Sequence, residues 1–386
     1  MKFFENNKRY FAYHDHMLLG IAVLLTIFGV YLQFNIATSL GNTNQMGLFV
    51  NQLRSLVVAV GVFVVLLSIP NLSSFLYKYS FIFISLAIIL LTSVLFMGDT
   101  YQGGTRWLKI FFFRFQPSEL VHPIIIIFFA KYFDKRKNEI KKTGILLFVK
   151  KFLPLIIVSV LCIVLIYLEK HLSTLVVLCL TMLAMLFIAE FKIRLILMLI
   201  LLLFSSFTIA IKTQKHRESR MGIYANYNLF YKALGKNNQE IKGDPYQVRE
   251  SLTAISQGGI WGTGSEGGRS KHLFLPDVNS DYIFALIGEQ FGFLGGMVII
   301  FLFSILLFRT ILISVSASSY FDMMLAMGMG VNIFITAIIN IGVSLSALPS
   351  TGLTLPFISY GGSALVVNLA MLAIILNISS KRRIKA

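Results

Sequence analysis

The chain has 386 residues, of which 56% are apolar and only 13% are charged, against about 25% charged residues in soluble domains. Its 34 Lys and Arg residues exceed its 17 Asp and Glu residues, which gives a net charge of +17. This composition excludes a soluble globular fold, a disordered chain, a coiled coil and a disulfide scaffold, and it indicates an all-α, polytopic membrane protein.

Apolar runs of about 20 residues, the length that crosses a bilayer as a helix, follow one another along the chain. We predict ten spans, at residues 17–36, 51–70, 79–97, 117–133, 150–168, 172–190, 194–211, 282–308, 321–346 and 360–379. Basic residues gather in both termini and in the loop after span four, which places these segments in the cytoplasm. We therefore predict a single membrane domain, residues 1–386, with both termini inside and one large outer loop, residues 212–281, between spans seven and eight.

Three carboxylates lie in or beside the predicted spans, where a charge is costly and usually marks function. Glu119 opens span four, Asp281 stands at the outer mouth of span eight, and Glu289 follows eight residues later. That spacing predicts that Asp281 and Glu289 share one helical face. Each carboxylate also has a structural explanation: an ion pair between Glu119 and Arg106, a helix cap by Asp281, and buried packing for Glu289.

Two further polar segments interrupt the apolar pattern. Arg106 and Trp107 follow a Gly pair on the predicted outer side. In one interpretation the Arg binds a phosphate and the Trp contacts the face of a sugar. In the other, the Trp is an interfacial membrane anchor beside an ordinary Arg. Residues 348–363 contain two prolines, three glycines and several hydroxyls. Such a segment predicts a non-helical, re-entrant loop, and on its own it could belong to a transporter with broken helices.

Four blocks, in this order, resemble the SEDS family of bacterial cell-wall proteins (FtsW, RodA, SpoVE), and the resemblance runs from the first span to the last. The blocks are residues 104–107 and 116–119 (GTRW, QPSE), 246–264 (YQ, then GG and GTG), 275–289 (LPD, SDYIFA, GE) and 340–363 (NIG, LP, GL, LP, SYGGS). Residues 183–190 and 269–272 resemble the FtsW branch more than RodA.

The resemblance implies a peptidoglycan glycosyltransferase of the bacterial cytoplasmic membrane. It would polymerise lipid II into β-1,4-linked strands by inverting transfer, in cell division or elongation, together with a class B penicillin-binding protein and other divisome or elongasome membrane proteins. Inverting transfer needs a base for the acceptor hydroxyl, and the resemblance assigns that role to Asp281. The leaving diphosphate needs positive charge or a divalent cation, Mg or Mn.

The resemblance also implies a wider site around Asp281. The predicted substrate-binding residues are Arg106, Trp107, Glu119, Gln247, Ser251, Lys271, Ser359, Gly361 and Gly362, with Arg220 and Arg269 as further loop cations and His122 and Glu289 as supporting groups.

The sequence departs from the family pattern at two places. His122 occupies a position where the family has Lys, and the family's QPDLGT block reads Glu169 to Thr174 here, so that the Asp of that block is missing. Two other functions remain open from the residues: a lipid II flippase, and a non-catalytic scaffold for division proteins. An inactive Asp281 variant would distinguish a polymerase from a scaffold.

Overall fold

The structure of the chain is a computed structural model that describes residues 14–39, 43–101, 104–110, 113–141, 143–212, 222–224, 226–228, 245–265, 267–268 and 275–383. The helices, numbered in chain order, are α1 His16–Ser39, α2 Thr43–Ser68, α3 Leu72–Met97, α4 Pro117–Ile140, α5 Ile145–Lys151, α6 Leu153–Leu168, α7 Leu172–Ile188, α8 Ile193–Lys212, α9 Tyr246–Gly258, α10 Ile283–Val315, α11 Tyr320–Ser344 and α12 Gly362–Arg383. The strands are β1 Asp99–Tyr101, β2 Gly104–Ile110 and β3 Phe113–Phe115.

Each predicted span coincides with a helix, which confirms a helical, multi-pass membrane protein. In the part of the chain that the structure describes, six helices are long and apolar enough to cross a bilayer by length and composition. These six are α1, α2, α3, α10, α11 and α12, and three shorter apolar helices lie at Leu153–Leu168, Leu172–Ile188 and Ile193–Ser206. The number of spans and the orientation of the termini therefore stay predictions.

The core lies where α12, α11 and α4 meet. α12 packs along α2, and α11 packs against α4, α7 and α10. Residues 121–131 of α4 are all buried, as expected for a helix that is apolar around its whole circumference. Pro117 occupies the first turn of α4, where its missing N–H leaves no intrahelical bond unmade.

A small antiparallel sheet, in the order β1-β2-β3, lies between α3 and α4. Hydropathy did not predict it, because its strands of three to seven residues are too short and too polar to show an apolar period. The sheet matters for the site because β2 carries Arg106 and Trp107.

The loop between α11 and α12, residues 345–361, is non-helical, as its prolines and glycines predict. Ile358, at the inner part of this loop, is fully buried. It lies so close to the middle of α1 that a Cβ atom on Gly29 would come within 2.6 Å of the Ile358 Cα atom. Because Gly29 is near the centre of a helix that spans residues 16–39, the loop reaches deep into the bundle, and we call it the re-entrant loop.

α10 is broken at Gly292, whose φ of 67° and ψ of −165° are accessible mainly to glycine. The turn after α9, residues 259–264, inserts its backbone at this break and exchanges hydrogen bonds with both halves of the helix. The exchanged bonds are Thr263 N to Glu289 O (2.9 Å), Gly264 N to Gln290 O (3.1 Å), Phe293 N to Gly259 O (2.9 Å) and Leu294 N to Ile260 O (3.3 Å). The described part of the outer loop is thus joined to span eight through the backbone.

Candidate active site

Asp281 lies in a tight turn that precedes α10. The turn is organised by Asp277, which adopts a left-handed φ of 55°, a conformation that Asp tolerates better than most residues. The Asp277 carbonyl accepts the N–H groups of residues 280, 281 and 282 at 3.1, 3.0 and 3.3 Å. Asp281 itself is partly exposed. The N-cap residue of α10 is Tyr282, so the alternative explanation of Asp281 as the helix cap does not hold.

The re-entrant loop forms the wall opposite the Asp281 carboxylate. A Cβ atom on Gly352 would lie 3.5 Å from Asp281 Oδ2, which is an ordinary van der Waals contact. The N–H of Gly352 donates to Ser173 Oγ at 3.1 Å. The first turn of α7, the re-entrant loop and Asp281 therefore meet at one place, on the side of the bundle that we predict to be outside.

Arg106 approaches the same region from β2. Its Nη2 atom donates to the carbonyl of Lys170, in the turn between α6 and α7, at 2.9 Å. The carboxyl group beside Arg106 is that of Glu169, which is fully buried. No ion pair joins Arg106 to Glu119 among the described residues, so the alternative explanation of Glu119 as an ion-pair partner of Arg106 does not hold.

Glu169 is the residue that sequence reasoning missed. Burial raises the pKa of its carboxyl to about 8, although the nearby Ser118 hydroxyl and the Arg106 guanidinium both favour the charged form. Neither carboxyl oxygen has a hydrogen bond of good geometry within the described residues. The signal in the sequence was a single acid at the outer end of an otherwise apolar span, two positions before the place where the family pattern has Asp.

His171 occupies that family position. Its Nδ1 atom lies 3.0 Å from Gln116 Nε2 and 2.7 Å from Thr174 Oγ1. Burial, together with the positive charge of Arg106, lowers the pKa of His171 to about 3. A neutral imidazole therefore stands where the resemblance places a carboxylate, and a buried carboxyl group, that of Glu169, lies two positions earlier in the chain.

Glu119 and His122 lie one turn apart on α4 and line a small cavity beneath the re-entrant loop. The cavity holds about 10 Å³, which is roughly the space of one water molecule. Its other polar lining residues are Asn332, Thr336, Thr354 and Asn368. His122 Nδ1 lies 3.2 Å from Asn332 Nδ2. His122 is buried and Glu119 is partly buried, so these two side chains line a chamber beneath the re-entrant loop.

Two of the predicted substrate-binding residues, Ser251 and Ser359, donate hydrogen bonds to backbone carbonyls of the protein. Ser251, on α9, is buried and donates to the carbonyl of Ser344 at 2.8 Å. Ser359 is buried and donates to the carbonyl of Ser280 at 2.6 Å. Both hydroxyls therefore donate within the protein, and a contact of either with substrate stays a prediction.

Gln247 and the loop glycines lie nearer to the site. Gln247 donates from Nε2 to Asp277 Oδ2 at 3.1 Å, in the turn that carries Asp281. The N–H of Gly361 donates to Gln52 Oε1 at 3.2 Å, and Gly362 begins α12. These residues shape the walls around Asp281 and do not present a reactive group.

Trp107 and Glu289 lie at the two edges of the region. Trp107 is paired with Asp99 across the sheet and is half-buried. Glu289 is fully buried, and a Cβ atom on Gly268 would come within 3.0 Å of its Oε2 atom. Glu289 therefore faces Gly268, and its supporting role stays a prediction.

The predicted loop cations Arg220, Arg269 and Lys271 lie outside the described residues. Within the described ranges, no three His, Cys, Asp or Glu side chains come together in a way that could hold a metal ion. The described residues therefore do not form a metal site by themselves, and the divalent cation stays a prediction.

Comparisons with known proteins agree with this architecture. Residues 15–384 match the family of cell cycle proteins FtsW, RodA and SpoVE. The chain is 27% identical over 374 residues to the probable peptidoglycan glycosyltransferase FtsW of Geobacter sp. (strain M18), covering 96% of this chain and 98% of that one. It is 32% identical over 301 residues to the stage V sporulation protein E of Bacillus subtilis, covering 78% and 77%.

Solved structures show the same fold. The rod shape-determining protein RodA of Thermus thermophilus superposes with a TM-score of 0.69 at 19% identity, over 96% of this chain and 98% of that one. A chain from a peptidoglycan synthase complex that coordinates polymerization and crosslinking superposes with a TM-score of 0.73 at 20% identity, over 96% and 98%. With a family match over nearly its whole length, this chain belongs to the FtsW/RodA/SpoVE family.

Proposed function

We propose that this chain is a peptidoglycan glycosyltransferase that polymerises lipid II, and that Asp281 is its catalytic base. The relatives named as peptidoglycan glycosyltransferases support the reaction class. The observation that carries the site is the position of Asp281: a partly exposed carboxylate, on a fixed turn, facing the re-entrant loop at 3.5 Å from the place of a Gly352 Cβ atom.

The chemistry follows from what a carboxylate at this place can do. The Asp281 carboxylate accepts the proton of the acceptor sugar's 4-hydroxyl as that oxygen attacks the anomeric carbon of the donor. The bond from that carbon to the diphosphate oxygen breaks with inversion, and the diphosphate carries away the electron pair. Arg106, which is held by the Lys170 carbonyl beside the site, is placed to bind a phosphate oxygen.

The same proposal includes a partner and a branch. A neighbour of this fold comes from a peptidoglycan synthase complex of polymerization and crosslinking, which supports pairing with a class B penicillin-binding protein. Relatives named FtsW and stage V sporulation protein E support the FtsW-like branch.

The test uses purified full-length protein in detergent with lipid II, with and without a class B penicillin-binding protein, and measures glycan strands on gels. Asp281→Asn is expected to lower the rate at least 100-fold, the usual contribution of a general base. Asp277→Asn is the matched control, since it changes a carboxyl of the same turn that is already bonded to Gln247 and is expected to keep most activity. Equal rates for wild type and Asp281→Asn would refute the proposed base. Wild-type protein that forms no strands, yet moves lipid II across vesicles, would support a flippase instead.

A further inference from the structure

The turn that carries Asp281 presents three successive carbonyl groups, and each accepts a hydrogen bond from a residue outside the turn. The carbonyl of Asn279 accepts the N–H of Tyr360 at 2.8 Å. The carbonyl of Ser280 accepts the hydroxyl of Ser359 at 2.6 Å. Two neighbouring residues of the re-entrant loop therefore hold the two residues that immediately precede Asp281.

The third carbonyl, that of Asp281 itself, is held by Asn340 on α11. The Asn340 Nδ2 atom donates to the Asp281 carbonyl at 3.0 Å and to the carbonyl of Leu353, in the re-entrant loop, at 2.6 Å. An amide nitrogen has two hydrogens, so both are used, and Asn340 is only 1% exposed. One side chain thus ties the backbone of Asp281 to the loop segment that faces the Asp281 carboxylate.

Gly352 directly precedes Leu353 in the re-entrant loop, and it forms the wall opposite Asp281 Oδ2. The forked bonds of Asn340 therefore fix the distance between this wall and the Asp281 backbone. A displacement of about 1 Å in a reacting group can cost about 100-fold in rate, so this distance matters for the reaction.

We propose that Asn340 is a positioning residue for Asp281, which sets the carboxylate against the re-entrant loop in the geometry needed to take the acceptor proton. The inference rests on the proposed function, because it assumes that Asp281 is the base. Asn340 does not touch the reacting atoms; it acts through the carbonyls of residues 281 and 353.

The test compares Asn340→Asp with Asn377→Asp. Asp has the shape of Asn but lacks the amide donors. Asn377 is a matched control, because its Nδ2 atom also donates to a loop carbonyl, that of Ile69 at 2.8 Å, and its Oδ1 atom is likewise buried without a partner in the described chain. It lies near the far end of α12, away from Asp281. Asn340 loses two such hydrogen bonds and Asn377 loses one, so both variants are expected to lose stability, and Asn340→Asp loses about 1 kcal/mol more.

The measurements are kcat and KM for lipid II, corrected for the folded fraction from size-exclusion chromatography. Asn340→Asp is expected to lower kcat about 10- to 100-fold with KM changed less than 3-fold, whereas Asn377→Asp keeps the wild-type kcat. Equal kcat values for Asn340→Asp and Asn377→Asp would overturn the inference and leave a purely structural role. If Asn340→Asp does not fold, Asn340→Ser, which keeps one hydrogen-bond donor, takes its place: a lowered kcat relative to Asn377→Asp supports the positioning role, and an equal kcat overturns it.

A second variant approaches the same geometry from the opposite wall. Gly352→Ala removes no hydrogen bond and places a methyl group 3.5 Å from Asp281 Oδ2, so the fold is expected to persist. The methyl group would shield the Asp281 carboxylate from solvent, and because desolvation disfavours the charged form of a carboxyl group, the acidic limb of the kcat pH profile is expected to move to higher pH. An unmoved profile would contradict the placement of this wall against the carboxylate.

The two proposals fail in different ways. If Asp281→Asn keeps its activity, the proposed base is wrong. If Asp281→Asn is inactive while Asn340→Asp has the wild-type kcat, only the positioning role is wrong. In the Asp281→Asn background, adding Asn340→Asp is expected to lower the residual rate less than 3-fold, because the group that it positions is already gone. A full additional loss would overturn the positioning role.

Discussion

Replacing Gly29 with Ala tests the depth and the rigidity of the re-entrant loop. The new Cβ atom would lie 2.6 Å from the Cα and 2.7 Å from the carbonyl oxygen of Ile358, and 2.9 Å from the carbonyl oxygen of Phe357. All three neighbours are backbone atoms, so no flexible side chain can turn away. Because ordinary contact begins near 3.4 Å, α1 and the loop must separate by about 0.8 Å.

This separation should lower both stability and activity. Overpacking of a tight interior costs about 1–3 kcal/mol. The loop residue after Ile358 is Ser359, whose hydroxyl bonds the Ser280 carbonyl at 2.6 Å. A shift of about 0.8 Å would stretch that bond to the limit of useful geometry, and the turn that carries Asp281 would lose one of its supports.

The control lies on the same helix. A Cβ atom on Gly20 would meet nothing within 4 Å. Both variants gain the same intrinsic helix stability from Gly→Ala, about 0.5–1 kcal/mol, so the difference between them isolates the clash. Thermal midpoints in detergent and strand formation from lipid II measure the two effects. Equal midpoints and equal activities for Gly29→Ala and Gly20→Ala would refute the deep position of the loop.

Three further predictions concern charge and capping. Burial raises the pKa of Glu169 to about 8 from an ordinary 4.5, so between these pH values the folded state keeps a proton that the unfolded state loses, and the free energy of unfolding should fall by up to about 1.4 kcal/mol per pH unit. Glu169→Gln should remove this slope from thermal midpoints measured between pH 5 and 9, and the same pH dependence in wild type and variant would contradict the prediction. Asp15→Asn removes the buried ion-pair partner of Arg309, whose side chain is 25% exposed, and should cost about 1–3 kcal/mol. Part of the loss should be recovered when Arg309→Gln is added, and additive losses in denaturation would argue against the pair. Ser319 accepts the N–H of Asp322 at the start of α11, so Ser319→Ala should cost about 1 kcal/mol and Ser319→Gly only a few tenths; equal midpoints for the two would exclude a capping role.

The sequence was sufficient to place the helices and the re-entrant loop. A span needs a long apolar run, and such a run is visible without knowledge of its neighbours. The prolines and glycines of residues 348–363 likewise act locally, because they break a helix wherever they stand. Both predictions are confirmed because they depend on short-range rules.

The pairing of polar groups was not predictable in the same way. Arg106 was expected beside Glu119, but it lies beside Glu169, because the sheet carries β2 over the turn between α6 and α7. The hydroxyls of Ser251 and Ser359 looked available for sugars, and only the packing of α9 and the re-entrant loop shows that they bond to carbonyls. Contacts between residues that are distant in sequence depend on the assembled bundle.

The backbone exchange at Gly292 sets how the outer segment and span eight can move. Four hydrogen bonds link the turn after α9 to both halves of α10, and at about 1 kcal/mol each they open together or stay closed together. The length of the turn, residues 259–264, is fixed as well, because a residue inserted into it would shift the hydrogen-bond partners that follow by one position. A force applied to α9 is therefore transmitted to the short first half of α10, and that half begins directly after the turn that carries Asp281.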